Sequence, residues 1–170
     1  FIKANASMLR CREPQAMKKL IYRCAELHLQ HIASGDPFET GSSRPLDFGH
    51  WSAHKLEKLT EFEIRHGEAV AIGIALDSTY SWLKGMLSEA ELKRIIHLIK
   101  ILGFELYVPE LSGEALLKGL EEFREHLGGE LTIMLLEGIG KGVEVHEMEG
   151  DLILQSVEKL KSFMEEKIAV

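Results

Sequence analysis

The chain has 170 residues and a formal net charge of −7 at neutral pH, and 45% of its residues are hydrophobic. This is enough for one domain with a real core, and the negative charge argues against nucleic acid as the main partner, because phosphate binding requires clustered Lys and Arg. No apolar run approaches the roughly 18–20 residues of a membrane span, and nothing at the N-terminus is typical of a signal peptide. Cys11 and Cys24 form no CxxC pair, so we expect reduced thiols in a cytoplasmic protein.

The first half of the chain is predicted to hold three helices and one long loop. Residues 14–33 open with a proline suited to a first helical turn and repeat apolar residues at helical spacing, at Met17, Leu20, Ile21, Cys24, Leu27 and Ile32. Residues 34–46 are rich in Gly, Ser and Pro and form a loop. Residues 47–60 should be helical from about Gly49 onward. Residues 66–86 form a helix so apolar that it belongs in the middle of the domain.

The second half of the chain is predicted to add three helices and a hairpin. Ser88 and Glu91 form a capping box, and the helix that follows stops at Gly103. The other elements are a helix from Ser112 to the Gly128-Gly129 break, a β-hairpin made by 131–136 and 142–147, and a last helix over 151–167. The fold class is therefore mainly α, a multi-helix domain with one small β-hairpin near 131–147.

Three histidines, His50, His54 and His66, stand in the pattern H-x3-H-x11-H. The first two lie on one helix face, one turn apart, and the third opens the most apolar helix. Imidazole is the commonest side-chain metal ligand and the commonest proton shuttle near neutral pH. The pattern alone leaves open a metal site, an acid/base site, or both. The motifs of zincin proteases, phosphate loops, Rossmann nucleotide sites and serine hydrolases are absent.

Two blocks of sequence around these histidines resemble a known family. RPLDFGHWSAH at 44–54, with Glu57 three residues later, and HGEAVAIG at 66–73 are similar to LNxGHTxGHxxE and HGExVxxG of the 3-dehydroquinate synthases and related sugar-phosphate cyclases. FREHLGGELTIMLLEGIGKGVEV at 123–145 resembles the DKK region of that family. The resemblance covers most of residues 39–146 and implies the C-terminal helical, metal-binding domain of the 3-dehydroquinate synthase-like fold.

The resemblance also implies roles for individual residues. His50 and His66 match two zinc-binding histidines, and His54 matches a histidine that lies by the substrate and serves proton transfer. The remaining matches are an acidic residue of the active-site loop at Glu39 and substrate or phosphate contacts at Arg44, Asp47 and Arg124. Glu68 has two interpretations, as a partner of a zinc-bound histidine or as a first-turn acid favoured by the helix dipole.

The activity that the resemblance implies depends on NAD and on Zn²⁺ or Co²⁺. A sugar phosphate is oxidised, loses phosphate, is reduced again and closes to a carbocycle by an aldol step, as in the shikimate route to aromatic amino acids. Asp47 and Trp51 replace the usual Asn and Thr, so a different sugar phosphate, such as sedoheptulose 7-phosphate, is an alternative substrate. The alternative function is a non-catalytic helical interaction module derived from such an enzyme. Family members are often homodimers, and the sequence gives no independent indication of the oligomeric state.

The family places an NAD-binding α/β domain, and a glutamate that completes the zinc site, ahead of the matched blocks. The chain begins at Phe1 rather than Met. We therefore expect residues 1–170 to be a single helical domain cut from a longer protein, without the NAD-binding domain and the opening of the helical domain. Holding two of three expected metal ligands, this piece alone should be inactive and should bind zinc weakly or not at all.

Overall fold

The computed structural model describes residues 1–33, 45–126 and 129–165. This part of the chain forms seven α-helices and one antiparallel two-stranded sheet: α1 Ala6–Arg10, α2 Pro14–Ala33, α3 His50–Leu59, α4 His66–Leu83, α5 Glu89–Leu102, α6 Glu114–His126, β1 Ile133–Gly138, β2 Lys141–Val145 and α7 Gly150–Glu165. Short 3-10 helices lie at Lys3–Asn5, Pro45–Asp47 and Pro109–Leu111. The predicted mainly α fold with one hairpin is confirmed.

Local sequence signals set most helix ends. Where an observed end differs slightly from the predicted one, a glycine explains the difference. The Ser88 hydroxyl accepts the Glu91 N–H at 3.3 Å, and Gly103 takes a left-handed φ of 89°, so α5 begins and ends as predicted. α4 ends at Leu83, earlier than predicted, because the chain turns at Gly85 with φ 78°. α6 begins at Glu114, two residues later than predicted, after Gly113 with φ 98°.

The predicted bounds of α2 are confirmed, and most of this helix is exposed. The helix runs from Pro14 to Ala33 as expected, but Ala16 is its one buried residue. Ile21 is 61% exposed and Leu27 is 49% exposed. Helical spacing of apolar residues reports local conformation and does not say which element covers them. The short helix α1 was not predicted, and it buries Ala6 and Leu9.

Helix α4 lies at the centre of the domain, as its sequence predicts. Eleven of its residues are buried, including Ile72, Leu76 and Tyr80. Its neighbours are α3, α5, α7 and β1. The hairpin is attached to it because the Leu136 N–H donates to the Ser81 hydroxyl at 3.2 Å. No helix in the described ranges is both long and apolar enough to cross a membrane.

Helices α3 and α4 approach each other so closely that two glycines are required. A Cβ on Gly73 would lie 2.0 Å from the Gly49 carbonyl oxygen, and a Cβ on Gly49 would lie 2.6 Å from the backbone nitrogen of Ile74. Gly49 also has φ 81°, a left-handed conformation that side chains disfavour. Each glycine therefore makes room for the backbone of the other helix, and together they set where α3 begins.

A buried carboxylate ties the same two helices together. Asp77 of α4 is fully buried, and its Oδ2 accepts the Gly49 N–H at 3.1 Å while its Oδ1 accepts the Trp51 indole N–H at 2.8 Å. Burial raises the pKa of Asp77 to about 7, and the hydrogen bonds from Trp51 and Gly49 oppose this rise. The pKa of this carboxyl group therefore lies well above its ordinary value.

Replacing Gly73 with Ala should destabilise the domain, because the new methyl group would overlap the Gly49 carbonyl and force the helices apart. We expect Gly73→Ala to lower the free energy of unfolding by about 2 kcal/mol or more, measured by chemical denaturation. Gly67→Ala is the matched control, since a Cβ there has no neighbour within 4 Å among the described residues. Its stability should be unchanged or slightly raised, and an equal loss in both variants would contradict the close-approach argument.

Asp77 should make stability depend on pH. Its pKa is higher in the folded state than the ordinary 3.8 of the unfolded chain, so between about pH 4 and pH 7 the folded protein holds a proton that the unfolded chain has lost. Stability conferred by Asp77 therefore falls as pH rises through this window, by up to about 1.4 kcal/mol per unit. The unfolding free energy of the wild type minus that of Asp77→Asn should decrease from pH 5 to pH 8. If this difference in unfolding free energy stayed constant across that range, the predicted contribution of Asp77 to the pH dependence would be wrong.

Candidate metal centre

The three histidines of the sequence pattern come together where the N-terminal end of α4 meets α3. The ring centroids of His50 and His54 are 5.7 Å apart, those of His50 and His66 are 5.3 Å apart, and those of His54 and His66 are 5.9 Å apart. His50 and His54 lie one turn apart on α3, and His66 is the first residue of α4. The three imidazoles therefore lie close together, although the ligand atoms that come within 4.8 Å of one another belong to His54, Glu57 and His66 and not to His50.

Two of the three rings are oriented through their Nδ1 atoms. His50 Nδ1 lies 3.3 Å from the Phe48 carbonyl oxygen, and His66 Nδ1 lies 3.2 Å from Oε2 of Glu57. Both partners are acceptors, and in a neutral imidazole this arrangement places the proton on Nδ1 and leaves Nε2 with its lone pair. Histidines that bind metal are held in this way by a carbonyl or carboxylate on the other nitrogen. The donor chemistry of His50 and His66 thus fits a metal ligand pair.

Glu57 is the acidic residue that the sequence analysis left out of the site. Its side chain is 17% exposed and bonds to His66 across the α3–α4 junction. One ligand atom from each of His54, Glu57 and His66 can be chosen so that all lie within 4.8 Å of one another. Glu57 therefore has two possible positions around an ion, as a direct ligand or as the carboxylate that orients His66. Its spacing of three residues after His54 was the available signal.

Glu68 serves the helix terminus. Its carboxylate accepts the backbone N–H of Arg65 at 3.0 Å, and it lies in the first turn of α4. This is the capping arrangement expected of a first-turn acid. Of the two interpretations offered for Glu68, the structure therefore favours the structural one, and Glu57 is the carboxylate bonded to His66.

Of the four other predicted site residues, two lie within the described part of the chain. Asp47 lies in the 3-10 helix Pro45–Asp47, three residues before His50. Arg124 is exposed on α6 and pairs with Glu121 one turn earlier. Glu39 and Arg44 lie outside the described residues.

A cavity of about 320 Å³ adjoins His54 between α3 and α6. The Phe123 ring lies 6.5 Å from the His54 ring, and the Lys55 and Lys58 ammonium groups both contact the Glu122 carboxylate. The full lining is Trp51, His54, Lys55, Lys58, Gly119, Glu122 and Phe123. The cavity lining thus carries two cations and one anion, and the Glu57 carboxylate lies within 4.8 Å of a ring nitrogen of His54. The sequence analysis missed these lysines, because their proximity to α6 is a long-range contact.

Comparison with known proteins places the chain in a family. The sequence profile described as 3-dehydroquinate synthase C-terminal matches residues 1–124. The chain is 32% identical to the 3-dehydroquinate synthase of Rhodopseudomonas palustris (strain BisB18) over 149 residues, covering 81% of this chain and 37% of the relative. It is 30% identical to that of Alkaliphilus metalliredigens (strain QYMF) over 146 residues, covering 85% of this chain and 41% of the relative.

A solved structure shares the fold over nearly the whole chain. ValA, the 2-epi-5-epi-valiolone synthase from Streptomyces hygroscopicus subsp. jinggangensis 5008, was determined with NAD⁺ and Zn²⁺ bound. It superposes with a TM-score of 0.86 at 27% identity, covering 95% of this chain and 45% of ValA. The chain spans about two fifths of the length of the two curated relatives above. The profile match and both curated relatives show that the chain belongs to the 3-dehydroquinate synthase C-terminal family, among the sugar-phosphate cyclases of that type.

Proposed function

We propose that this chain is the metal- and substrate-binding C-terminal domain of a 3-dehydroquinate synthase-like sugar-phosphate cyclase. The observation that carries the proposal is the cluster of His50, His54 and His66, in which two rings are held through Nδ1 with Nε2 available. The rival interpretation, a non-catalytic helical module, gives no reason for three clustered imidazoles. The metal, the substrate and each residue role below are parts of this proposal.

The metal ligands are His50 and His66, each through its Nε2 atom. A divalent ion such as Zn²⁺ or Co²⁺ supplies Lewis acidity that lowers the pKa of a bound hydroxyl. The Glu57 carboxylate keeps His66 in the required tautomer. The His66 side chain is 54% exposed, so solvent and substrate could reach a metal ion held there, as a catalytic metal site requires.

Proton transfer is assigned to His54, and substrate binding to the polar residues around it. An imidazole at His54 can accept and return a proton on a ring nitrogen near neutral pH. Glu39 and Asp47 supply acidic groups of the substrate pocket, and Arg44 and Arg124 bind the anionic phosphate.

The proposed reaction is NAD- and metal-dependent oxidation of a sugar phosphate, phosphate elimination, re-reduction and aldol closure to a carbocycle. NAD would be bound mainly by a part of the protein outside this chain. Two substrates are candidates. The relatives named 3-dehydroquinate synthase favour 3-deoxy-arabino-heptulosonate 7-phosphate, whereas Asp47 and Trp51 in place of the usual Asn and Thr favour a different sugar phosphate such as sedoheptulose 7-phosphate. The first would place the enzyme in aromatic amino acid synthesis. The cytoplasmic location and the homodimeric state remain predictions from the sequence.

Alanine variants of the three histidines should differ in their zinc affinity. In the intact protein, His50→Ala and His66→Ala should each lower zinc affinity by more than about 100-fold, since losing even an outer partner costs 10–100-fold. His54→Ala should keep the metal content near normal and strongly reduce turnover. Competition titration with a chromogenic chelator and metal analysis measure the first effect.

His97→Ala provides the matched control, because His97 is exposed on α5 away from the cluster, and it should leave zinc affinity unchanged. Loss of zinc from His54→Ala together with normal zinc affinity in His50→Ala would overturn the assignment. The ligand set would then be His54, Glu57 and His66, whose ligand atoms also lie close together.

Substrate choice should depend on the charge of Asp47. A heptulosonate carries a carboxylate that sedoheptulose lacks, and Asp47 would repel it at short range. Asp47→Asn in the intact enzyme, assayed with NAD and zinc, should raise the ratio of kcat/KM for 3-deoxy-arabino-heptulosonate 7-phosphate over sedoheptulose 7-phosphate by about tenfold. An unchanged ratio would remove Asp47 from substrate selection, and no turnover of either sugar phosphate by the wild type would count against the proposed reaction.

A further inference from the structure

Asp77 is the buried titratable group that the proposed chemistry does not use. It is fully buried in α4, and it follows an uncharged stretch from Ala69 to Leu76. Taking a carboxylate out of water is costly, and replacing a buried charged group by an apolar one of similar size often leaves a protein equally stable or more stable. The cost of burying this carboxylate therefore points to a role beyond linking α3 and α4.

The two hydrogen bonds of Asp77 bracket a proposed metal ligand. Oδ2 accepts the backbone N–H of Gly49, and Oδ1 accepts the indole N–H of Trp51. These are the residues immediately before and after His50. One bond fixes the backbone that enters α3, and the other fixes a side chain in its first turn, so the direction of the His50 Cα–Cβ bond is set from both sides.

The local backbone needs such an external constraint. Gly49 is the residue before the first turn of α3, and no side chain of its own is available to cap the helix. Glycine also has the widest range of backbone conformations. The contact from His50 Nδ1 to the Phe48 carbonyl oxygen depends on the conformation at Gly49, which connects the two residues. A change in Gly49 would therefore move the ring and its Nε2 lone pair.

We propose that Asp77 is a positioning residue that holds His50 in its metal-binding orientation through the Gly49 N–H and the Trp51 indole N–H. The inference rests on the proposed metal role of His50. Trp51 is then more than a core residue. It couples the pocket beside His54, which it lines, to the buried carboxylate of α4.

The test is made on the intact protein with Asp77→Asn and Trp51→Phe. The asparagine is isosteric but has one acceptor oxygen, so its amide group must face one of the two N–H donors and at least one bond is lost. We expect Asp77→Asn to weaken zinc binding by about tenfold, the lower end of the cost for outer partners of a ligand. Trp51→Phe keeps a buried ring and loses only the Oδ1 bond, so its effect should be smaller. The double variant should bind zinc no more weakly than Asp77→Asn, as expected for residues acting through one network.

Thr79→Val is the matched control, because Thr79 is also a buried polar residue of α4 and its hydroxyl donates to Ala75 within the helix. It should leave zinc affinity unchanged. In parallel, NMR of the zinc-free proteins follows the ring resonances of His50 and His66. Asp77→Asn and Trp51→Phe should shift those of His50 and leave those of His66 near their wild-type positions, while circular dichroism confirms that the variants are folded.

The two readouts distinguish this inference from the proposed function. If the wild type binds no zinc, the metal proposal fails, and the His50 resonances still decide the role of Asp77. Wild-type zinc affinity together with unchanged His50 resonances in Asp77→Asn would overturn the inference. An equal loss of zinc affinity in Thr79→Val would also overturn it, because the effect would then be general destabilisation of α4. If Asp77→Asn does not fold, Trp51→Phe decides the question by the same readouts.

Discussion

The close crossing of α3 and α4 is the contact on which the fold and the candidate site both depend. At one end the Gly49 carbonyl lies against Gly73, where even a methyl group has no room. At the other end the Glu57 carboxylate lies against His66. The helices therefore run antiparallel, and the side chains along their shared edge face one another in a fixed register. The two glycines and the three histidines of the family motifs are parts of one packing arrangement.

This crossing also explains why the polar groups of the site are tolerated near the core. Trp51 is almost fully buried, yet its indole N–H donates to Asp77, so no buried donor at this position is left unsatisfied. Asp77 in turn receives two donors, which compensates part of its desolvation. The interface between α3 and α4 thus combines apolar packing with one small polar network, placed immediately behind His50.

Local patterns in the sequence predicted the elements well, and long-range contacts account for what they missed. The bounds of α2 and α5 follow from proline, capping and glycine signals within each segment. The same signals could not say that Ile21 of α2 would be exposed, since burial depends on another element. For the site, the spacing and the family resemblance identified the clustered histidines. Glu57 rather than Glu68 contacts His66 because the end of α3 folds back beside the start of α4.

Asp77 is visible in the sequence as an unusual residue, but the sequence does not reveal its role. One acidic residue after eight uncharged positions of a central helix is unusual, because buried charges need partners. The sequence could not name those partners, which lie 26 and 28 residues earlier in the chain. The structure supplies them on both sides of His50. A histidine at the first position of a helix, preceded by a glycine, has little rigidity of its own, and the neighbouring helix constrains the residues on either side of it. Each of the two histidines thus has a carboxylate of the opposite helix nearby: Asp77 bonds to the residues that flank His50, and Glu57 bonds to His66 directly.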